Sequence, residues 1–355
     1  MIEKKLQFDF STTQKIIQLI SRIDQFKGEW KSLDQEDNRY LKELRKIATI
    51  QSIGSSTRIE GSSLTDAEIS SLIKNLNISK LQSRDEQEVV GYYDTLEVIL
   101  SSHVDIDLTM SNIHGLHNIL LKHSSKDNRH RGSFKDHTNQ VVANFPDGTT
   151  KVIFKTTEPY LVQKEMEDLV DWTNQSIDKR EIHLLIIIAT FVYEFLSIHP
   201  YQDGNGRLSR LLTNLLLIKH GYNFVQYVSL EHIVEGNKST YYQALMEGQK
   251  DRYKEQERID RWVLFFLNSL TELIGKLEAK LTEYKALGGY LNERQRAVLE
   301  YIKQHQPVKI GDIAANLKDY TLASLKKDLQ YLTKEYEIEK FGMNKGTIYK
   351  IRQNK

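Results

Sequence analysis

Apolar residues recur at three- and four-residue spacing through most of this chain, in segments 16–23, 41–53, 89–100, 113–121, 159–172, 183–196, 208–219 and 241–246. That spacing places them on one face of a helix and predicts a mainly α protein. Four prolines and 18 glycines in 355 residues leave the helices room to run. Segment 183–196 is apolar nearly all round, which predicts a central, buried helix. Two regions depart from the pattern. At 140–156, Val141, Val142, Val152 and Phe154 flank the sequence NFPDGT, whose Pro-Asp-Gly is a turn signal between extended residues, so a β-hairpin is expected. Beyond Gly288 and Gly289, helical patterns at 293–304, 311–317 and 322–334 precede a strand at 338–341, a turn at 342–346 and a second strand at 347–351, the order of a winged helix.

Length at ~150 residues per domain suggests about two domains. With 39% hydrophobic and 27% charged residues the composition is that of a globular protein. The longest apolar stretch, from Leu184 to Tyr193, falls short of the ~20 residues that a membrane span needs, so no membrane partner is expected. The first ten residues, MIEKKLQFDF, lack the apolar core of a secretory signal, which leads to a cytoplasmic expectation. The absence of cysteine removes disulfides, thiolate nucleophiles and cysteine-ligated metals. Residues 290–355 hold 13 Lys/Arg against 8 Asp/Glu, a net +5 in a chain whose total is +1, so the tail is expected to be its own unit.

The chemistry concentrates in His199–Arg210, HPYQDGNGRLSR. Asp203-Gly204-Asn205-Gly206 reads as a tight turn feeding a helix whose apolar face carries Leu208, Leu211, Leu212 and Leu215. A glycine-rich turn at a helix N-terminus presents backbone N–H groups backed by the positive end of the helix dipole, a seat for phosphate. Arg207 and Arg210 share a helix face and could clamp neighbouring phosphates. His199 is a candidate general base and Asp203 a candidate oxygen ligand for Mg²⁺. An EF-hand is excluded, because Leu208 stands at the sixth position of such a loop and Asn214 at the twelfth. A Walker phosphate loop is absent.

This segment resembles the signature of the Fic-domain family, HPFx[DE]GN[GK]RxxR, with Tyr201 in place of Phe. The resemblance implies a Fic-type helical domain with a small β-hairpin flap, plus the C-terminal winged helix: an N-terminal helical region over 1–110, a catalytic core over 111–285 and the winged helix over 290–352. It further implies a protein adenylyltransferase that moves AMP from ATP to a Ser, Thr or Tyr hydroxyl of a protein substrate. His199 would deprotonate that hydroxyl and Asp203 would hold Mg²⁺. ATP would be bound by Gly204, Asn205, Gly206, Arg207, Leu208, Ser209 and Arg210, with Tyr242 of the Tyr241-Tyr242 pair near the base. The hairpin would hold the target as an added strand.

Upstream, Ser56-Thr57-Arg58-Ile59-Glu60-Gly61 resembles the family's inhibitory motif, [ST]xxxE[GN], in the subclass whose inhibitory helix is N-terminal, here near 52–61. Ser56 and Glu60 share a helical face, and Glu60 is expected to form a bidentate pair with Arg210, taking the γ-phosphate's ligand. Two alternatives stay open: a hydrolase that removes AMP through the same site, and a DNA-binding regulator with a nucleotide-sensing Fic-like domain. The tail exposes Lys326 and Lys327 on its last helix without an Arg for guanine readout, so DNA and protein partners stand equal. A homodimer is left open.

Overall fold

The computed structural model describes residues 2–33, 39–76, 81, 83–144, 150–286, 291, 293–335, 338–342 and 346–352. Fourteen helices run in chain order among them: α1 Phe10–Leu33, α2 Arg39–Ile59, α3 Asp66–Lys74, α4 Arg84–Ser102, α5 Met110–Leu120, α6 Pro159–Lys179, α7 Leu184–Ile198, α8 Asn205–Lys219, α9 Leu230–Gly236, α10 Lys238–Gln249, α11 Asp260–Ala286, α12 Glu293–His305, α13 Ile310–Asn316 and α14 Leu322–Glu335. The strands are β1 Gln140–Asn144, β2 Thr150–Lys155, β3 Val308–Lys309, β4 Ile338–Phe341 and β5 Ile348–Ile351. The architecture is mainly α, with small sheets. No helix among the described residues is long and apolar enough to cross a membrane.

The chain divides into two compact units, residues 1–37 with 41–276, and 38–40 with 277–355, so the division falls inside α11, ahead of Gly288 and Gly289. Those glycines lie outside the described residues. In the first unit, α7 is buried on every side from Ile187 to Ile198, as its unbroken apolar run requires. Trp262 of α11 is 2% exposed and donates its indole N–H to the Ala189 carbonyl (2.7 Å), fixing α11 against α7. Local signals set the helix ends. Thr65 and Ser83 cap α3 and α4 with reciprocal bonds to Glu68 and Glu86, and Pro159 opens α6, where its missing N–H costs nothing.

The hairpin forms where the valines place it. β1 and β2 pair antiparallel, with Val141 opposite Phe154, Val142 opposite Val152 and a bulge between the two valines. The intervening turn, with Pro146, Asp147 and Gly148, lies outside the described residues.

The second unit closes around Val298, Ile302, Ile313, Leu325, Leu329, Leu332 and Ile338. Its sheet has the order β3-β5-β4, all antiparallel. β3, only Val308 and Lys309 directly after Pro307, is too short to show a period-two pattern and is not among the strands expected above. Residues 343–345 of the expected turn lie outside the described residues.

Candidate active site

The segment from His199 to Arg210 joins the end of α7 to the start of α8, and two left-handed residues make the join. His199 ends α7 at φ 53°, ψ 61°, and Gly204 precedes α8 at φ 78°. Glycine takes that region freely, whereas histidine does so only when held. Asn205 staples the turn: its Oδ1 accepts from the Tyr201 N–H (2.8 Å) and its Nδ2 donates to the Tyr201 carbonyl (2.7 Å). Tyr201 is wholly buried, and its hydroxyl finds the partner it needs in His114 Nδ1 at 3.0 Å. His117 stacks on the same ring, centroids 3.7 Å apart, and shares a hydrogen bond between Nε2 and the Asp203 carbonyl (3.0 Å). The Gly132 N–H donates to its Nδ1 (2.8 Å), so the ring's proton sits on Nε2, and burial holds the pKa down at about 4.

The first intrahelical bond of α8 runs from the Leu208 N–H to the Gly204 carbonyl (2.8 Å). The amides of Asn205, Gly206 and Arg207 therefore form the open first turn suited to an anion. Leu208 is fully buried in the core and Ser209 donates its hydroxyl to the Gly206 carbonyl (2.8 Å), so neither side chain faces that turn.

The two arginines go to different partners. Arg207, 2% exposed, donates from Nη2 to Asp203 Oδ1 (3.0 Å) and places Nη1 3.1 Å from Glu88 Oε2. Arg84 closes the ring, donating to Glu88 (2.7 Å) and Asp203 Oδ2 (2.9 Å). Burial pushes the Asp203 carboxyl up, but Arg207, the Gly204 N–H and Arg84 together hold it below its usual range. Arg207 Nε and Nη1 are buried without a hydrogen-bond partner; the Glu88 contact supplies charge but not alignment. Orphan guanidinium donors beside an ionised carboxylate suit a phosphate with its cation. Among the described residues no group of three or more His, Asp or Glu could hold a metal ion alone. Asp203, an ionised carboxylate beside the anion turn, is of the type that would hold Mg²⁺ together with phosphate oxygens.

Arg210 turns toward α2. Its Nε donates to Ser56 Oγ (2.7 Å), and its Nη2 donates to the Ser56 carbonyl (2.9 Å) and to Glu60 Oε1 (2.7 Å). The expected bidentate pair is therefore a single contact, because Ser56 occupies the Nε edge of the guanidinium that a second carboxylate bond would need. Burial works against Glu60 ionising, but the Arg210 charge and hydrogen bond override it and hold the carboxyl below its usual range. Gly206 makes room for this contact, since a Cβ there would lie 2.1 Å from Glu60 Oε1.

Around these groups lies a cavity of about 110 Å³, lined by Glu60, His199, Gly206, Arg210, Tyr242 and the hairpin's Val141 and Phe154, among others. It joins the end of α2, the anion turn, the hairpin and the Tyr-Tyr segment. His199 Nδ1 lies 3.3 Å from the Leu196 carbonyl, which can only accept, so the lone pair is on Nε2. Burial, and after it the charge of Lys135, depress this imidazole to about pH 4, neutral under physiological conditions. Arg84, Glu88, His117 and Lys135 were not among the residues the sequence singled out. Only the i,i+4 spacing of Arg84 and Glu88 signals a pairing, and it does not name Asp203 as the third member.

Residues 107–217 match the profile of the Fic/DOC family. The chain is similar to protein adenylyltransferase Fic of Drosophila melanogaster, 32% identical over 189 residues that cover 53% of this chain and 36% of that protein. The Drosophila mojavensis protein is 30% identical over 217 residues, covering 59% of this chain and 40% of its own. The chain thus spans well under half the length of these curated relatives. A Fic family protein from Desulfovibrio desulfuricans shares the fold, with a TM-score of 0.64 at 20% identity over 96% of this chain and 97% of that one. A Fic domain containing signaling protein from Bacteroides thetaiotaomicron gives 0.57 at 25% identity, covering 75% and 97%.

Proposed function

We propose that this chain, which belongs to the Fic/DOC family through residues 107–217, transfers AMP from ATP to a Ser, Thr or Tyr hydroxyl of a protein and is restrained by Glu60. One observation carries the reading: Arg210, the cation best placed for the far end of a triphosphate, is held by Glu60 in the cavity that also contains His199. At about 110 Å³ that cavity is well below the ~300–1,000 Å³ of typical ligand sites, so a nucleotide seats fully only when Glu60 withdraws.

In the reaction His199 Nε2 accepts the proton of the incoming hydroxyl, whose oxygen bonds to the α-phosphorus as the bond to the β-phosphate bridge breaks. Pyrophosphate leaves with that electron pair. The amides of Asn205, Gly206 and Arg207 hold the phosphate oxygens, and Arg207 fixes Asp203 from below. Mg²⁺, when bound at Asp203, would supply charge neutralisation for the departing phosphates. The hairpin offers the target a strand edge, and Tyr242 lines the base end.

Glu60→Gly should raise incorporation of α-labelled AMP into protein by tenfold or more, each ~1.4 kcal/mol of lost restraint corresponding to a factor of ten. Adding Arg210→Ala should remove most of that gain, because the released guanidinium is the group that binds the γ-phosphate. No label in either variant would sink the reading.

A second reading has one observation in its favour: Glu60 stays ionised and lines the same cavity as His199, so it could orient a water for AMP removal. In that case Glu60→Gly abolishes release of AMP from a modified protein. We read the second unit as a winged helix that contacts DNA or a protein partner. A salt-dependent shift of a DNA duplex by the full chain separates those partners.

A further inference from the structure

Lys135 lies in the loop between α5 and β1, is 3% exposed, and has no part in the steps above. Its backbone N–H donates to the Pro200 carbonyl (2.9 Å), and its ammonium donates to the Ile198 carbonyl (3.2 Å). One residue therefore holds the carbonyls on both sides of His199. The same ammonium donates to Asn139 Oδ1 (2.8 Å) and Thr156 Oγ1 (2.7 Å). Those two residues immediately precede β1 and follow β2. Thr156 also donates to the Asn139 carbonyl (2.9 Å), and Asn139 Nδ2 donates to the Tyr201 carbonyl (2.9 Å). Three acceptors exhaust the ammonium's donors, which compensates its burial.

His199 needs such support, because its left-handed backbone persists only where the surroundings over-determine it. The hairpin needs it too, since a two-stranded ribbon is marginal alone. We infer that Lys135 is a positioning residue that locks the foot of the hairpin and the His199 turn into one joint, setting the height at which a target hydroxyl lying along the hairpin meets the imidazole. This deepens the AMP-transfer reading and rests on it.

Electrostatics supports the same assignment. After burial, the Lys135 charge is the next influence lowering the His199 pKa, opposed by Glu60 and Asp203. Burial lowers Lys135 itself to about 8, against Glu158 and Glu165, which raise it. The joint thus keeps the base unprotonated as well as aimed.

The test uses the full chain carrying Glu60→Gly, with and without Lys135→Met and Lys135→Arg. Steady-state transfer is measured alongside NMR titration of the His199 imidazole, assigned by its loss in His199→Ala. Lys135→Met should cut kcat by about ten- to a hundredfold with KM for ATP little changed, the effect of a small misplacement of reacting groups. It should also move the His199 midpoint up from about 4 toward the ordinary histidine value. Lys135→Arg should restore the low midpoint. An unchanged midpoint, or unchanged kcat, in Lys135→Met overturns the inference. If Lys135→Met does not fold, Thr156→Val together with Asn139→Ala cuts both ties to the hairpin and keeps the charge: kcat should fall with the midpoint unmoved, and an unchanged kcat overturns the joint. If the Glu60→Gly parent transfers no AMP, the functional reading fails, while the titration still decides whether Lys135 governs His199.

Discussion

As the proposed base, His199 must be unprotonated at neutral pH yet close enough to charge to take up a proton during transfer. Burial and the Lys135 charge lower its pKa, while Glu60 and Asp203 pull it up. Replacing His199 with Ala should abolish AMP transfer and leave ATP binding within a few-fold of the parent, measured by calorimetry, because the nucleotide is held by the α8 amides and Arg210. Wild-type rates in that variant would remove His199 from the chemistry. The same burial has a cost in acid. His117 and His199 sit near pH 4 in the fold, against ~6.5 for a free imidazole. Between those values the unfolded chain binds more protons, so the stability they confer is complete above about pH 6.5 and declines as pH falls toward 4. For the fully buried His117 the loss from pH 7 to pH 5 is about 2 kcal/mol, with less from the partly buried His199. Urea unfolding at the two pH values measures it, and equal midpoints would mean that the imidazoles protonate in place.

On the proposed reading α2 is the element on which the restraint depends, and Arg58 fastens it. That guanidinium grips Glu235 of α9 through both oxygens (2.7 and 3.1 Å) and Asp66 Oδ1 at 2.8 Å, while Lys238 of α10 donates to the Ile59 carbonyl at 3.0 Å. Glu235→Ala should free the end of α2 and raise AMP transfer by a few-fold to tenfold without touching Arg210 or Glu60, the range of losing one partner of a half-buried, charge-assisted pair. No rise would place the restraint in the Glu60 contact alone. The sequence announced α2 and its Ser56 and Glu60, but not this fastening, for a physical reason. Helical periodicity and glycine turns are local, and so α7, the 204–206 turn and the hairpin were legible from neighbouring residues. Arg58 with Glu235, Arg84 with Asp203, and Lys135 with Ile198 join residues 63 to 177 positions apart, and nothing in the spacing of charges selects those partners. α11 went unnamed for no such reason. Its buried Val263, Phe266, Leu267, Leu270, Ile274 and Leu277 do recur at three- and four-residue spacing, so this helix was legible by the same local rule and was passed over.

At the scale of the molecule, the site draws all of its residues from the first unit, Glu60 through Tyr242. A chain ending at residue 286 should therefore stay soluble and, with Glu60→Gly, transfer AMP at the rate of the full chain carrying that change. A folded but inactive truncation would show that the second unit completes the site or an assembly. The shared space at Gly206 also bears on how such a molecule changes by descent. Glu60 Oε1 occupies the volume that any side chain at 206 would claim. A side chain there would meet only the movable end of Glu60, and the family signature admits lysine at this position, so such a change displaces the carboxylate without forbidding the turn. On the proposed reading, restraint can therefore be lost by descent from either side of the contact, at residue 60 on α2 or at residue 206 on α8.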